Sequence, residues 1–155
     1  MHSMGVNRSR IWSFPSRLLD YALGRPVPPR LLALTLNLLD DLGASTSTLL
    51  VHADLHYGNV LAGTREPWLA IDPKVVVGDP EFGVMPLVLR RFDAIKGRHD
   101  LHQRLHVVRH HAALDPQRME AWTIVRTVDY WLWARSIGLT EDPAICETMT
   151  RWLTE

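Results

Sequence analysis

The stretch VHADLHYGN, Val51–Asn59, constrains the fold of this chain more than any other. Two histidines, an aspartate and an asparagine are crowded between the short apolar runs LLV and VLAG, each suited to a brief strand and too short for a helix. Such a loop is either a decorated turn or a rigid platform that points its polar side chains at one place. The flanks favour the platform. GNVLAG and PWLAIDP are two apolar runs separated by GTRE, a spacing that predicts a β-hairpin directly after the loop.

Around this small β region the pattern is helical. PRLLALTLNLLDDLG (29–43) has proline in the first turn, leucines at helical spacing and a terminal glycine, so it predicts a helix. GDPEFG reads as a loop. Helices are expected over 84–96 and 100–113, then from the Asp115-Pro116 start signal to about Ser136, and from Asp142-Pro143 to about Leu153. Residues 1–28, with the proline-rich GRPVPPR, read as an irregular connecting segment holding a short helix over Ile11–Leu23. Residues 29–155 form the domain proper.

Composition narrows the function classes. Seventeen Lys and Arg balance seventeen Asp and Glu, so no basic field for nucleic acid exists on average. The single cysteine, Cys146, excludes an internal disulfide framework and a cysteine-based zinc cluster. No apolar run approaches the roughly 20 residues of a membrane-spanning helix, and the N-terminus lacks a secretory pattern. A cytoplasmic protein that binds neither membrane nor nucleic acid is expected.

His52, Asp54 and Asn59 fit the pattern H-x-D-x-x-x-x-N, and Asp72 follows at the end of the apolar run WLAID. Phosphoryl transfer from ATP needs this set. One aspartate orients the acceptor hydroxyl and takes its proton, while an amide and a second carboxylate hold Mg²⁺ on the phosphates. Catalysis of this kind is positioning and charge neutralisation, which rigid strands beside the loop would serve.

The run VHADLHYGNVLAGTREPWLAIDPKVVVGDPEFGVMPL resembles the catalytic segment of the aminoglycoside phosphotransferases. Within them it is most similar to the streptomycin 6-kinases, also described as aminoglycoside/hydroxyurea resistance kinases, with WLAIDPK…GDP the most specific part. The resemblance covers about residues 49–90. It implies an α+β, mostly α fold: a protein-kinase-like C-terminal lobe with a small β-hairpin at the active site. It implies Asp54 as catalytic base, Asn59 and Asp72 as ligands of Mg²⁺ and thereby of ATP, and His52 and Asp79 as structural supports. Lys74 belongs to the IDPK signature without an assigned role, and Ala53 stands where many members have glycine.

Nothing before residue 49 supplies a phosphate-covering glycine-rich loop or the strand lysine that grips a nucleotide. The expectation is therefore a C-terminal lobe without its N-terminal lobe, whose exposed face pairs with that lobe or with another copy. The reaction implied is transfer of the γ-phosphate of ATP to a hydroxyl of an aminoglycoside, streptomycin first. The chain alone is expected to bind Mg-ATP poorly and to turn over slowly or not at all. The competing readings are a non-catalytic remnant that binds a ligand or partner, and a kinase for another small hydroxylated substrate.

Three other features compete for attention. His99, His102, His106 and His110 share one helix face, read as solvated. Trp122, Tyr130, Trp131 and Trp133 read mainly as core. Glu120, Asp129, Glu141 and Asp142 are candidates, by position alone, for carboxylates facing a polycationic acceptor.

Overall fold

The computed structural model describes residues 27–43 and 47–155; the helix expected over Ile11–Leu23 lies outside them. Five helices and two small antiparallel ribbons make up the described chain. Helix α1 (Pro29–Leu42) is followed by strand β1 (Leu49–His52), β2 (Val60–Ala62), β3 (Trp68–Ala70) and β4 (Val75–Gly78). Helices α2 (Met85–Leu89), α3 (Arg98–Ala112), α4 (Pro116–Ser136) and α5 (Glu141–Thr154) complete it. The fold is mostly helical with small antiparallel sheets, as the sequence implied.

The hairpin forms where expected: β2 pairs with β3, Val60 opposite Ala70 and Ala62 opposite Trp68. Its turn depends on Gly63, where a Cβ would lie 2.6 Å from the Glu66 carbonyl oxygen, closer than side-chain carbons approach. The second ribbon was not legible. VVVG pairs back onto β1, Leu49 opposite Gly78 and His52 opposite Val75. Local pattern could not show this, because β1 and β4 meet only after the hairpin folds out between them.

Helix α4 is the core of the domain. Val125, Val128, Trp131 and Leu132 are fully or almost fully buried, and α1, α5 and the segment Pro80–Gly83 pack around them. Asp115 caps α4 by accepting from Arg118 N–H at 2.8 Å, the role its sequence predicts. Trp122 and Trp131 are core residues, as read from the sequence, whereas Trp133 is partly exposed.

Two helix expectations are corrected. The 84–96 stretch is not one helix: α2 stops at Leu89, and a separate turn spans Phe92–Ala94. Past Leu89 the chain turns more tightly, Arg91 N–H donating to the Val88 carbonyl and Ala94 N–H to the Arg91 carbonyl, and α3 side chains hold the far end of the stretch. The Ala94 carbonyl accepts from Arg104, and Lys96 N–H donates to Asp100. The α3 helix starts earlier than expected, at Arg98, after Gly97 at φ 139°. The second correction concerns Asp142, which does not cap α5. The helix begins one residue before it, and the Asp142 carboxylate instead accepts from the Tyr130 hydroxyl. Burial and that carboxylate push the Tyr130 phenol up to about 12.

Cys146 is fully buried in the main core cluster, and burial, with the Asp142 charge nearby, pushes its thiol up to about 12. Only the thiolate attacks electrophiles, and the raised pKa leaves far less of it near neutral pH. The folded chain is expected to resist thiol-specific reagents until denaturant opens the core. Rapid labelling in native buffer, followed by the release of a coloured thiolate, would contradict this packing. Among the described residues no helix is long and apolar enough to cross a membrane.

Candidate active site

The loop between β1 and β2 is held by a closed set of short-range bonds. Asp54 N–H donates to His52 Nδ1 at 3.3 Å, so that nitrogen must be the unprotonated one. The proton then sits on Nε2, 2.9 Å from the Ile71 carbonyl oxygen, which can only accept. His52 thus ties the loop to the strand-end residue before Asp72. His56 Nδ1 accepts from Gly58 N–H, and Asn59 N–H donates to the His56 carbonyl, forming the turn Tyr57–Asn59.

Asn59 closes the loop from the other side. Its buried side-chain amide donates through Nδ2 to the Asp54 carbonyl at 2.9 Å, and the Asn59 backbone carbonyl accepts from Ile71 N–H at 2.9 Å. The structure therefore brings the backbones of Asp54, Asn59 and Ile71–Asp72 into one hydrogen-bonded cluster. Asp72 itself has φ 51°, a left-handed conformation that aspartate tolerates better than most residues. Its side chain is exposed and engaged in no hydrogen bond or ion pair among the described residues.

The Asp54 carboxylate, half-buried at the loop, accepts from Lys74 Nζ at 2.5 Å. Burial works to raise its pKa, but the Lys74 hydrogen bond and charge, helped by His56 and Arg90, outweigh burial and hold the carboxyl below its ordinary value. The Asp54 carboxyl is therefore ionised at neutral pH. Lys74 is placed by backbone as well, because its carbonyl accepts from Ala53 N–H at 3.2 Å. Ala53 is not among the residues with positive φ, so its methyl is accommodated without backbone strain.

A second group of contacts sets the loop against the helical core. Arg126 on α4 donates to the Phe82 carbonyl at 2.5 Å and to the Ala53 carbonyl at 2.9 Å, and its guanidinium lies 4.1 Å from the Phe82 ring centre. One side chain thus spans the loop and the Pro80–Gly83 turn. Asp79, 3 % exposed, receives Arg118 Nε at 3.1 Å, Arg118 Nη2, and Trp122 Nε1 at 2.7 Å. Arg118 also reaches the Leu42 carbonyl at the end of α1. Buried Glu81 accepts from Asp115 N–H at 2.9 Å, fastening the same turn to the start of α4. Sequence reading missed Arg126, Arg118 and Glu81. Arginines on a long helix carry no local signal, and Glu81 hides inside a motif otherwise read as loop.

The oxygen donors suit a small hard cation. With its Nδ2 committed to Asp54, the Asn59 amide retains Oδ1 as a free acceptor, and Asp72 offers a carboxylate. Among the described residues no group of three or more His, Cys, Asp or Glu could hold a metal alone. A one-carboxylate site completed by phosphate oxygens and water is how Mg²⁺ is usually bound. The α3 histidines are exposed: His102 shares a hydrogen bond with the Trp152 carbonyl, and His106 stacks on His110. Of the four acidic acceptor-site candidates, Glu120 and Glu141 are exposed, Asp129 is buried in the helical core, and Asp142 holds Tyr130.

The chain is similar to a hydroxyurea phosphotransferase of Kitasatospora aureofaciens, 44 % identical over 97 residues, covering 61 % of this chain and 27 % of the relative. It is 38 % identical over 128 residues to a streptomycin 6-kinase of Streptomyces glaucescens, covering 79 % of this chain and 42 % of the relative. A streptomycin 6-kinase of Streptomyces griseus is 40 % identical over 94 residues, 58 % of this chain and 31 % of the relative. The chain spans less than half the length of these relatives. No solved structure matches. Residues 29–138, which include the loop, the hairpin and α4, match the family described as aminoglycoside/hydroxyurea antibiotic resistance kinase. The chain belongs to the aminoglycoside/hydroxyurea antibiotic resistance kinases.

Proposed function

We propose that the chain carries the phosphoryl-transfer centre of an ATP-dependent kinase that phosphorylates a hydroxyl of an aminoglycoside, streptomycin first. The observation that carries this reading is the Asp54 carboxylate, ionised and half-buried on a loop locked by His52 and Asn59, in a chain similar to two streptomycin 6-kinases. Asp54 orients the acceptor hydroxyl and takes its proton. Asn59 Oδ1 and the Asp72 carboxylate would hold Mg²⁺, which neutralises charge on the phosphates of bound ATP. His52 holds the loop against the strand end before Asp72, and Asp79 holds the following turn against α4.

In this reading residues 29–155 form the α-rich lobe of a two-lobed kinase. Leu50 and Trp68, each 70 % exposed, with Leu49, Leu61 and Val75, leave large apolar side chains of both ribbons open to solvent. Such a surface suits contact with a nucleotide-gripping lobe or a second copy.

The hydroxyurea phosphotransferase relative supports a second acceptor. The test is incubation of the purified chain with Mg-ATP and either streptomycin or hydroxyurea, with the products read by mass spectrometry. A slow gain of one phosphate on streptomycin is expected, and phosphorylated hydroxyurea alone would reassign the acceptor. Binding of either compound with no phosphate transferred at any protein concentration would favour a binding module instead.

A further inference from the structure

We infer that Lys74 is a catalytic residue whose ammonium bridges the Asp54 carboxylate and the γ-phosphoryl group of the nucleoside triphosphate. The inference rests on the phosphotransferase reading above. In the transfer, the acceptor oxygen forms a bond to the γ-phosphorus. The bond from that phosphorus to the oxygen shared with the β-phosphate breaks, and the nucleoside diphosphate leaves with the bonding pair. The hydroxyl proton goes to Asp54. The acceptor oxygen therefore lies between the Asp54 carboxylate and the γ-phosphorus, with reacting atoms about 3–3.5 Å apart in a productive complex. A cation within 2.5 Å of that carboxylate stands one hydrogen bond from the phosphoryl oxygens.

Three observations separate Lys74 from an ordinary surface ion pair. Its backbone is pinned beside the loop, since its carbonyl accepts from Ala53 N–H and the next residue, Val75, pairs with His52. Its side chain is 61 % exposed, so its remaining donors are open to a ligand. It is also one of just two lysines, with Lys96, in a chain whose other basic residues are arginine. A compact ammonium with three donors can serve a carboxylate and a phosphoryl oxygen at once, where a planar guanidinium would take the carboxylate edge-on.

That same scarcity supplies the experiment. The native chain is acylated under limiting reagent, alone and with excess Mg-ATP or Mg-ADP, and the modification of Lys74 is read against Lys96 by peptide mass spectrometry. Nucleotide binding is followed in parallel by calorimetry. Expected is a several-fold slowing at Lys74 with Mg-ATP, little or none with Mg-ADP, and no change at Lys96. The slowing should persist in Asp54→Asn, because the phosphate contact does not pass through Asp54. In the transfer assay, Lys74→Met and Lys74→Arg are both expected to lower kcat on the order of 10²-fold, with the acceptor KM little changed. Calorimetric binding of Mg-ATP with Lys74 unprotected, or equal protection by Mg-ADP, would overturn the role of Lys74 and leave the kinase reading standing. No binding of either nucleotide would overturn the Lys74 role in this chain, while the kinase reading, which expects weak nucleotide binding by this lobe, stands or falls on the transfer assay.

Discussion

Asp54→Asn should lower phosphoryl transfer by about 10²–10⁴-fold, the usual range for losing a positioned general base, while leaving the fold intact. The asparagine keeps the size and the hydrogen-bonding edge of the carboxylate but cannot take a proton. The loop should hold, because its main ties run through the Asp54 backbone: its N–H donates to His52, and its carbonyl accepts from Asn59. The substitution also removes the ion pair with Lys74, which is largely solvated and worth at most about 1 kcal/mol. Two measurements decide the matter together. Phosphate transferred from labelled ATP should fall close to background, and the denaturant midpoint should stay within the error of the parent chain. An unaltered transfer rate in a folded Asp54→Asn chain would eliminate Asp54 as the base.

Asp79→Ala should be the most destabilising single change near the site, by about 3 kcal/mol. The carboxylate is 3 % exposed and accepts from both Arg118 and Trp122. Its removal strands a guanidinium and leaves the indole N–H of buried Trp122 without this acceptor. Arg118 retains some access to solvent and its bond to the Leu42 carbonyl, which keeps the loss toward the lower end for a broken buried pair. Urea unfolding followed by tryptophan fluorescence should show an earlier midpoint at an unchanged slope. Asp79→Asn, whose amide oxygen can still accept from both donors but carries no charge, should fall between. A midpoint unmoved in the alanine variant would mean that the turn is fastened to α4 by Glu81 and Arg126 alone.

The parts of the site that were readable in the sequence are those whose chemistry is local. His52, Asp54 and Asn59 lie within eight residues, and a tight loop between strands can bring such neighbours together through bonds that span a few positions. The β2–β3 hairpin was readable for the same reason, since its two strands are joined by a short turn whose glycine cannot carry a side chain. The α4 start was readable because a cap and a first-turn proline are neighbours in sequence. Where the reading failed, distant groups had competed successfully for local ones. The 84–96 stretch breaks into tighter turns after Leu89, and its far end is held by Arg104 and Asp100 of α3. Asp142, expected as a cap, serves Tyr130 from the preceding helix.

The amino-acid order alone thus determined the identity of the loop, the hairpin that follows it and the helical character of the remainder, because each depends on interactions across a few residues. Only the tertiary structure decided that VVVG pairs with β1, that Lys74 meets Asp54, and that Arg118, Trp122 and Arg126 reach from α4 to seat the loop. Those contacts join positions 20 to 70 or more residues apart. No periodicity encodes such pairs; they arise when burial of α4 fixes where its polar side chains must find partners.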